Sequence, residues 1–144
     1  PLQMLGATNA IVNGGEYIKP YLLEAILDKD DNIVKEYSTK KERIFSGTTS
    51  KIIMNGMNKV VSSGTGKMAN VDGVEVGGKT GTANTSDENS VHCWFTGYYK
   101  YNNKYYTVVV IVPNIKSVND KGQDLGGSNT AAPIFSDIVR NIVK

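Results

Sequence analysis

Apolar positions along this chain switch between a helical and an alternating period. Over residues 2–13, Met4, Leu5, Ala7, Ile11 and Val12 fall near one helical face, and Gly14-Gly15 can supply a left-handed cap. Tyr21 to Leu27 and Ile33 to Tyr37 read as two strands joined by the acidic turn Asp28-Lys29-Asp30-Asp31-Asn32. Ser38 to Arg43 reads as a charged, solvated loop. Thr48, Thr49 or Ser50 can cap a second helix that runs to about Ser62. Its stripe is Ile53, Met54, Met57, Val60 and Val61, with the methionines as core filler, and Gly64-Thr65-Gly66 ends it. Three strands follow, Val74 to Ala83, Val91 to Tyr99 and Tyr105 to Val112. The run Val108 to Val112 implies burial on both faces, and Asn102-Asn103 reads as a hairpin turn. Pro113 to Gly127 reads as a long polar loop before a final helix, Thr130 to Val143. That helix has the expected buried stripe Ala131, Ile134, Phe135, Ile138, Val139 and Ile142. The pattern is α+β, without internal repeats.

Composition narrows the function without naming it. The 144 residues suffice for one domain with its own core. Sixteen basic residues against fourteen acidic ones give no electrostatic case for nucleic acid. The tyrosine clusters Tyr98-Tyr99-Lys100-Tyr101 and Tyr105-Tyr106 fit two strands flanking a hairpin turn better than a base-stacking platform. No apolar run reaches the ~18 residues that span a bilayer, and no signal peptide is visible. A single cysteine, Cys93, excludes an internal disulfide, and the lone His92 beside it cannot make a metal site. Neither a metal nor a cofactor is implied. The chain opens at Pro1 without an initiator methionine, as an excised piece would.

The chemistry concentrates in Gly77-Gly78-Lys79-Thr80-Gly81-Thr82-Ala83. Glycine weakens a strand interior, so a glycine-rich strand marks close approach by a ligand or another backbone. Two motifs overlap here. Gly73 to Thr80 satisfies the phosphate-loop pattern Gly-x-x-x-x-Gly-Lys-Thr. A phosphate loop needs a buried strand before it and a helix starting at the Lys-Thr, whose free N–H groups hold the phosphates. The preceding Gly66 to Asp72 is too polar for a central strand, and the residues after Thr80 lack a helical period. A nucleotide binder is therefore the weaker alternative. The second motif is Lys-Thr-Gly on a strand, a signature of penicillin-binding proteins and class A β-lactamases.

A tripeptide alone is weak, but its neighbours agree with it. Pro1 to Met4 with Ala10 to Gly15 resembles the helix after the second signature of class B penicillin-binding proteins, and Lys19 to Leu23 resembles the next segment. Val60-Val61 with Gly64-Thr65-Gly66, His92 to Tyr98, and Gly126-Gly127 with Ala131 to Phe135 resemble later blocks, in order and spacing. The resemblance implies residues 1–144 are the C-terminal part of a transpeptidase domain. Three strands of its antiparallel sheet, packing helices and an accessory hairpin lie in this chain. It further implies a serine DD-transpeptidase of the division or elongation type. Such an enzyme cross-links peptidoglycan stem peptides outside the cytoplasmic membrane, is anchored by an N-terminal segment absent here, and is acylated by β-lactams.

The family's Ser-x-x-Lys and Ser-x-Asn motifs would precede Pro1, so the chain alone should be inactive. Ser38-Thr39-Lys40-Lys41 matches the first by letters, but in a charged loop. An exposed lysine stays protonated near ~10.4 and cannot serve as a base at neutral pH. Ser117-Val118-Asn119 matches the second, but it follows Lys-Thr-Gly where the family places it before. By resemblance, Lys79 supplies positive charge near the nucleophile, and the Thr80 and Thr82 hydroxyls bind the substrate carboxylate. Gly81 leaves room for an extended peptide, and the Thr82 backbone N–H is one oxyanion-hole donor. The plainer alternative is a non-catalytic module whose lysine and threonines decorate a solvated edge. The apolar Tyr105 to Val112 strand, whose family partner is missing, should drive homodimerisation.

Overall fold

The computed structural model describes residues 1–144. Its first helix, α1 (Leu2–Val12), ends at Asn13, and Gly14 and Gly15 follow at φ 67° and 90°. Gly15 cannot be replaced there, because a Cβ would stand 2.0 Å from the Phe45 carbonyl oxygen. The buried face of α1 differs from the expected one. Gly6, Thr8 and Ala10 are buried, whereas Met4 and Ala7 are exposed. Small residues let the helix backbone lie close to its neighbours, a contact that hydrophobic periodicity does not register. The Thr8 hydroxyl donates to the Met4 carbonyl (2.9 Å) and lies 2.5 Å from the Thr96 hydroxyl.

Two small antiparallel pairs follow. β1 (Glu16–Ile18) pairs with β4 (Lys41–Arg43), and β2 (Ala25–Leu27) pairs with β3 (Ile33–Glu36). The β2–β3 hairpin is the expected one, shortened at its start. β4 corrects the reading of Ser38 to Arg43 as loop throughout. Its charged side chains hide a backbone ladder to β1, and Arg43 secures it by bonding the Gly14 carbonyl (2.9 Å) and Glu16 (3.2 Å).

α2 (Gly47–Ser62) buries Met57 and Val61 on the expected stripe. Its cap is Ser46, a few residues before the expected capping positions, with Oγ accepting from the Thr49 N–H at 3.1 Å. Ser50, one of the expected caps, is buried instead, and its hydroxyl donates to the Ile11 carbonyl, tying α2 to α1. A 3₁₀ turn (Lys67–Ala69) leads into the main sheet.

That sheet is antiparallel, in the order β5 (Val76–Asn84), β6 (Ser90–Tyr101), β7 (Lys104–Lys116). Asn102 and Asn103 both have positive φ, 49° and 59°, as a two-residue hairpin turn requires. β7 runs past Val112 into the expected loop. A register shift opposite His92 accommodates Pro113 and Asn114, and the Asn114 N–H donates to His92 Nδ1 (3.2 Å). Proline is tolerated at such an irregularity because it has no ladder hydrogen to give.

α3 (Ala131–Ile142) closes the core. Phe95 and Phe135 meet at 4.8 Å between ring centroids, among Val61, Val76, Tyr99 and Val139. Each such fully buried large side chain contributes roughly 1.5–3 kcal/mol. Two burial expectations fail together. In the run Val108 to Val112 only Val110 is buried, and Ile134, Ile138 and Ile142 of α3 remain 43%, 37% and 50% exposed. β7 is the last strand of the sheet, so no further strand pairs with its outer edge. No helix is long and apolar enough to cross a membrane.

Candidate active site

β5 is an edge strand, and its sequence is explained in two halves. Gly77 and Gly78 make room for the protein's own aromatic rings. A Cβ on Gly77 would lie 2.6 Å from the Tyr98 ring, and one on Gly78 would lie 2.3 Å from the Phe95 ring. Their absence of side chains therefore serves the core and not a ligand. Gly81 is different: its nearest neighbour is the Trp94 Cβ, at 3.3 Å.

The register settles where the motif's backbone points. The Lys100 N–H donates to the Glu75 carbonyl (2.9 Å) and the Thr85 N–H to the Ser90 carbonyl (3.1 Å), one at each end of the β5–β6 ladder. Hydrogen-bonded pairs alternate in an antiparallel ladder. Odd-numbered residues of β5 therefore bond β6, while Thr80 and Thr82 turn their N–H and C=O groups to the free edge. The side chains divide by face. Lys79 stands opposite Thr96 and Gly81 opposite Trp94, whereas Thr80 and Thr82 stand opposite the buried Phe95 and Cys93.

Lys79 and Gly81 line a cleft of about 260 Å³ with Met4, Thr80, Trp94 and Thr96. Lys79 Nζ reaches the outward carbonyl of Thr80 (2.6 Å) and joins none of the ion pairs. Its charge is thus available to a ligand. The two hydroxyls are each held from outside the strand. Thr80 Oγ1 lies 2.9 Å from Thr65 Oγ1, and Thr82 Oγ1 accepts from the Gly127 N–H at 3.1 Å. Thr65 and Gly127 belonged to recognisable sequence blocks, but nothing in the sequence assigned them to this strand.

The remaining candidates fall away from the site. β5 continues through Thr82 to Asn84, so no helix starts at Lys79 and the phosphate-loop alternative is excluded. Ser38 lies in the segment before β4. Asn119 shapes its own loop, with Oδ1 accepting from the N–H groups of Lys121 (2.9 Å) and Gln123 (3.0 Å). No three His, Cys, Asp or Glu residues gather as metal ligands would. A second cleft, about 370 Å³, lies between α1, α2 and Tyr105. Its Ser50 already donates to a backbone carbonyl. The neighbouring Tyr98 hydroxyl donates to Asn58 Oδ1 (2.7 Å), and burial, reinforced by Glu75, pushes this phenol far above its ordinary value. That cleft holds no activated nucleophile.

Comparison with known proteins then decides the family. The model described as the penicillin binding protein transpeptidase domain matches residues 1–140. The chain belongs to this family. Stage V sporulation protein D of Bacillus subtilis is 34% identical over 98% of the chain, and the chain covers 22% of that protein. The peptidoglycan D,D-transpeptidase FtsI homolog of Mesostigma viride is 25% identical, and the chain covers 26% of it. Penicillin-binding protein 3 of Mycobacterium tuberculosis, solved with aztreonam, superposes with a TM-score of 0.81 at 26% identity, over 97% of this chain and 34% of that one. The chain thus spans about a quarter of the curated relatives it matches and a third of the solved one. The transpeptidase fold, with its antiparallel sheet and flanking helices, is the α+β arrangement expected from the sequence.

Proposed function

We propose that residues 1–144 are the substrate-strand half of a serine-type DD-transpeptidase. The longer protein would cross-link peptidoglycan stem peptides outside the cytoplasmic membrane, held there by an N-terminal anchor. Its nucleophile would come from a Ser-x-x-Lys motif, and a Ser-x-Asn motif would complete the site. Both would lie in the part of the domain that precedes this chain. The observation that carries this reading is Lys79-Thr80-Gly81-Thr82 on a free sheet edge, beside a cleft and with an unpaired lysine.

The geometry supports the roles that the family resemblance implies. A stem peptide adds to β5 as a further strand, bonding the outward N–H and C=O groups of Thr80 and Thr82. Gly81 presents no side chain to obstruct it. Lys79 attracts the terminal carboxylate and lowers the cost of negative charge near the serine. The Thr80 and Thr82 hydroxyls bind that carboxylate. As the serine attacks, the carbonyl oxygen gains negative charge, which the Thr82 backbone N–H stabilises as one of two oxyanion donors. Loss of one such donor costs roughly 2.7–4 kcal/mol where it has been tested. β-Lactams would acylate the same serine, since they present an acyl group and a carboxylate in a similar arrangement. The isolated chain would be inactive, and its bare β7 edge at Tyr105–Val112 would pair with a second copy.

Labelling with a fluorescent penicillin tests the proposal. The longer protein should label at a serine upstream of Pro1, Lys79→Ala should label about a hundredfold more slowly, and the 144-residue chain should not label. Undiminished labelling of the Lys79→Ala protein would overturn the assignment.

A further inference from the structure

The Thr82 hydroxyl is gripped by the loop that leads into α3. Gly126 and Gly127 cross the sheet where Gly81 and Trp94 face each other. A Cβ on Gly127 would stand 2.2 Å from the Trp94 carbonyl oxygen and 2.6 Å from that of Gly81. One on Gly126 would stand 2.9 Å from Thr82 Oγ1. At Gly127 only glycine fits so close to the backbone.

Side chains after the loop fix its position. Asn129 Oδ1 accepts from the Gly126 N–H (2.9 Å), and Asn129 Nδ2 donates to the Asp124 carbonyl (2.9 Å). The Thr130 hydroxyl donates to the Gly126 carbonyl (2.6 Å), and the Ala132 N–H donates to the Gly127 carbonyl (2.9 Å). With the loop pinned, the Gly127 N–H is aimed at Thr82 Oγ1 at 3.1 Å. An oxygen that accepts there keeps its own hydrogen for another partner. The contact therefore leaves the hydroxyl hydrogen free to be donated, the role that binding an anion demands.

We infer that Asn129 is a positioning residue: by locking Gly126-Gly127 it presents the Thr82 hydroxyl as a hydrogen-bond donor to the substrate carboxylate. Asn129 itself touches no substrate. This rests on the reading of Lys79 to Thr82 as the carboxylate-binding strand, and it adds a specificity determinant about fifty residues downstream in sequence.

The test measures acylation of the longer protein by a penicillin and by its carboxamide analogue, which lacks the anion. A hydrogen bond to a charged group supports a loss of roughly ten- to a hundredfold when it is misdirected. Asn129→Ala and Thr82→Val should each slow the penicillin by about that much, and Asn129→Ala should leave the weaker carboxamide reaction little changed. The double variant should lose no more than the single ones, because both remove the same bond. Asn129→Asp keeps the acceptor for the Gly126 N–H and should recover part of the rate. Equal slowing of penicillin and carboxamide, or additive losses, would overturn the inference while leaving the transpeptidase reading standing. If Asn129→Ala fails to fold, Asn129→Asp, which loses only the donation to the Asp124 carbonyl, should show a smaller slowing confined to the penicillin. A wild-type protein that neither compound acylates would overturn the transpeptidase reading and this inference with it.

Discussion

β5 and β7 flank the same central strand, yet their free edges have opposite chemistry. One carries Lys79-Thr80-Gly81-Thr82; the other carries the run from Val108 to Val112. Elsewhere, α3 also leaves Ile134, Ile138 and Ile142 open to solvent. An edge that repeatedly binds and releases a peptide must stay wet when empty, so lysine, threonine and glycine suit it. An apolar edge exposed to water invites pairing with another strand. On the proposed function, the first edge would serve exchange and the second would call for lasting cover.

Substitutions at the two edges should therefore part ways, and a core substitution should damage both. Phe135→Ala removes the ring packed on Phe95 and should cost about 3–5 kcal/mol in chemical unfolding. If it spared stability, the shared core would not support either edge. Lys79→Ala should slow acylation of the longer protein about a hundredfold, equivalent to ~2.7 kcal/mol of transition-state stabilisation. Its melting temperature should barely move, because the side chain is exposed and joins no ion pair. Thr107→Lys places a charge on the β7 edge. Sedimentation velocity of the 144-residue chain should show self-association weakened about tenfold by the added repulsion, whereas a lysine added at Thr85, past the β5 motif, should not change it. Ser46→Ala removes the cap of α2, which lies along β5, and should cost about 1 kcal/mol in thermal unfolding.

The smallest effect belongs to the β2–β3 hairpin, which serves as a control remote from both edges. Side-chain and backbone bonds from Asn32, with a further backbone bond from Asp30, hold the Asp28 carboxyl below the usual carboxylate range. A depressed carboxyl contributes stability above its unfolded pKa and loses it as pH falls through its folded value. Acidification below about pH 4 should thus speed amide exchange of Asp30 and Asn32 before it affects β5 or β7. Simultaneous loss at all three places would mean the hairpin is not independent.

Much of this arrangement was legible in sequence because local signals agreed. The Asn102-Asn103 turn, the three expected sheet strands, the α2 stripe and the Lys-Thr-Gly blocks each pointed to the element found. What failed depended on partners distant in sequence. The buried face of α1 is made of Gly6, Thr8 and Ala10, which carry little hydrophobic signal. β4 is charged on every residue and declares itself only through its ladder to β1. The glycine-rich stretch implies close approach by a ligand or another backbone, but at Gly77 and Gly78 the rings of Tyr98 and Phe95 fill the space. Ile134, Ile138 and Ile142 have the period of a buried stripe, yet nothing in this chain covers them. The holds on the motif hydroxyls, from Thr65 and Gly127, come from residues that no spacing rule links to Thr80 and Thr82.

The central claim is that β5 is the substrate strand of an acyl-transfer site whose nucleophile lies outside residues 1–144. Intact mass and peptide mapping after incubation with excess penicillin test it most directly, on both the 144-residue chain and the longer protein. The account predicts no adduct on the chain alone and one penicilloyl group on the longer protein, mapped to a serine upstream of Pro1. A covalent adduct on a serine within the chain, Ser38 above all, would contradict it.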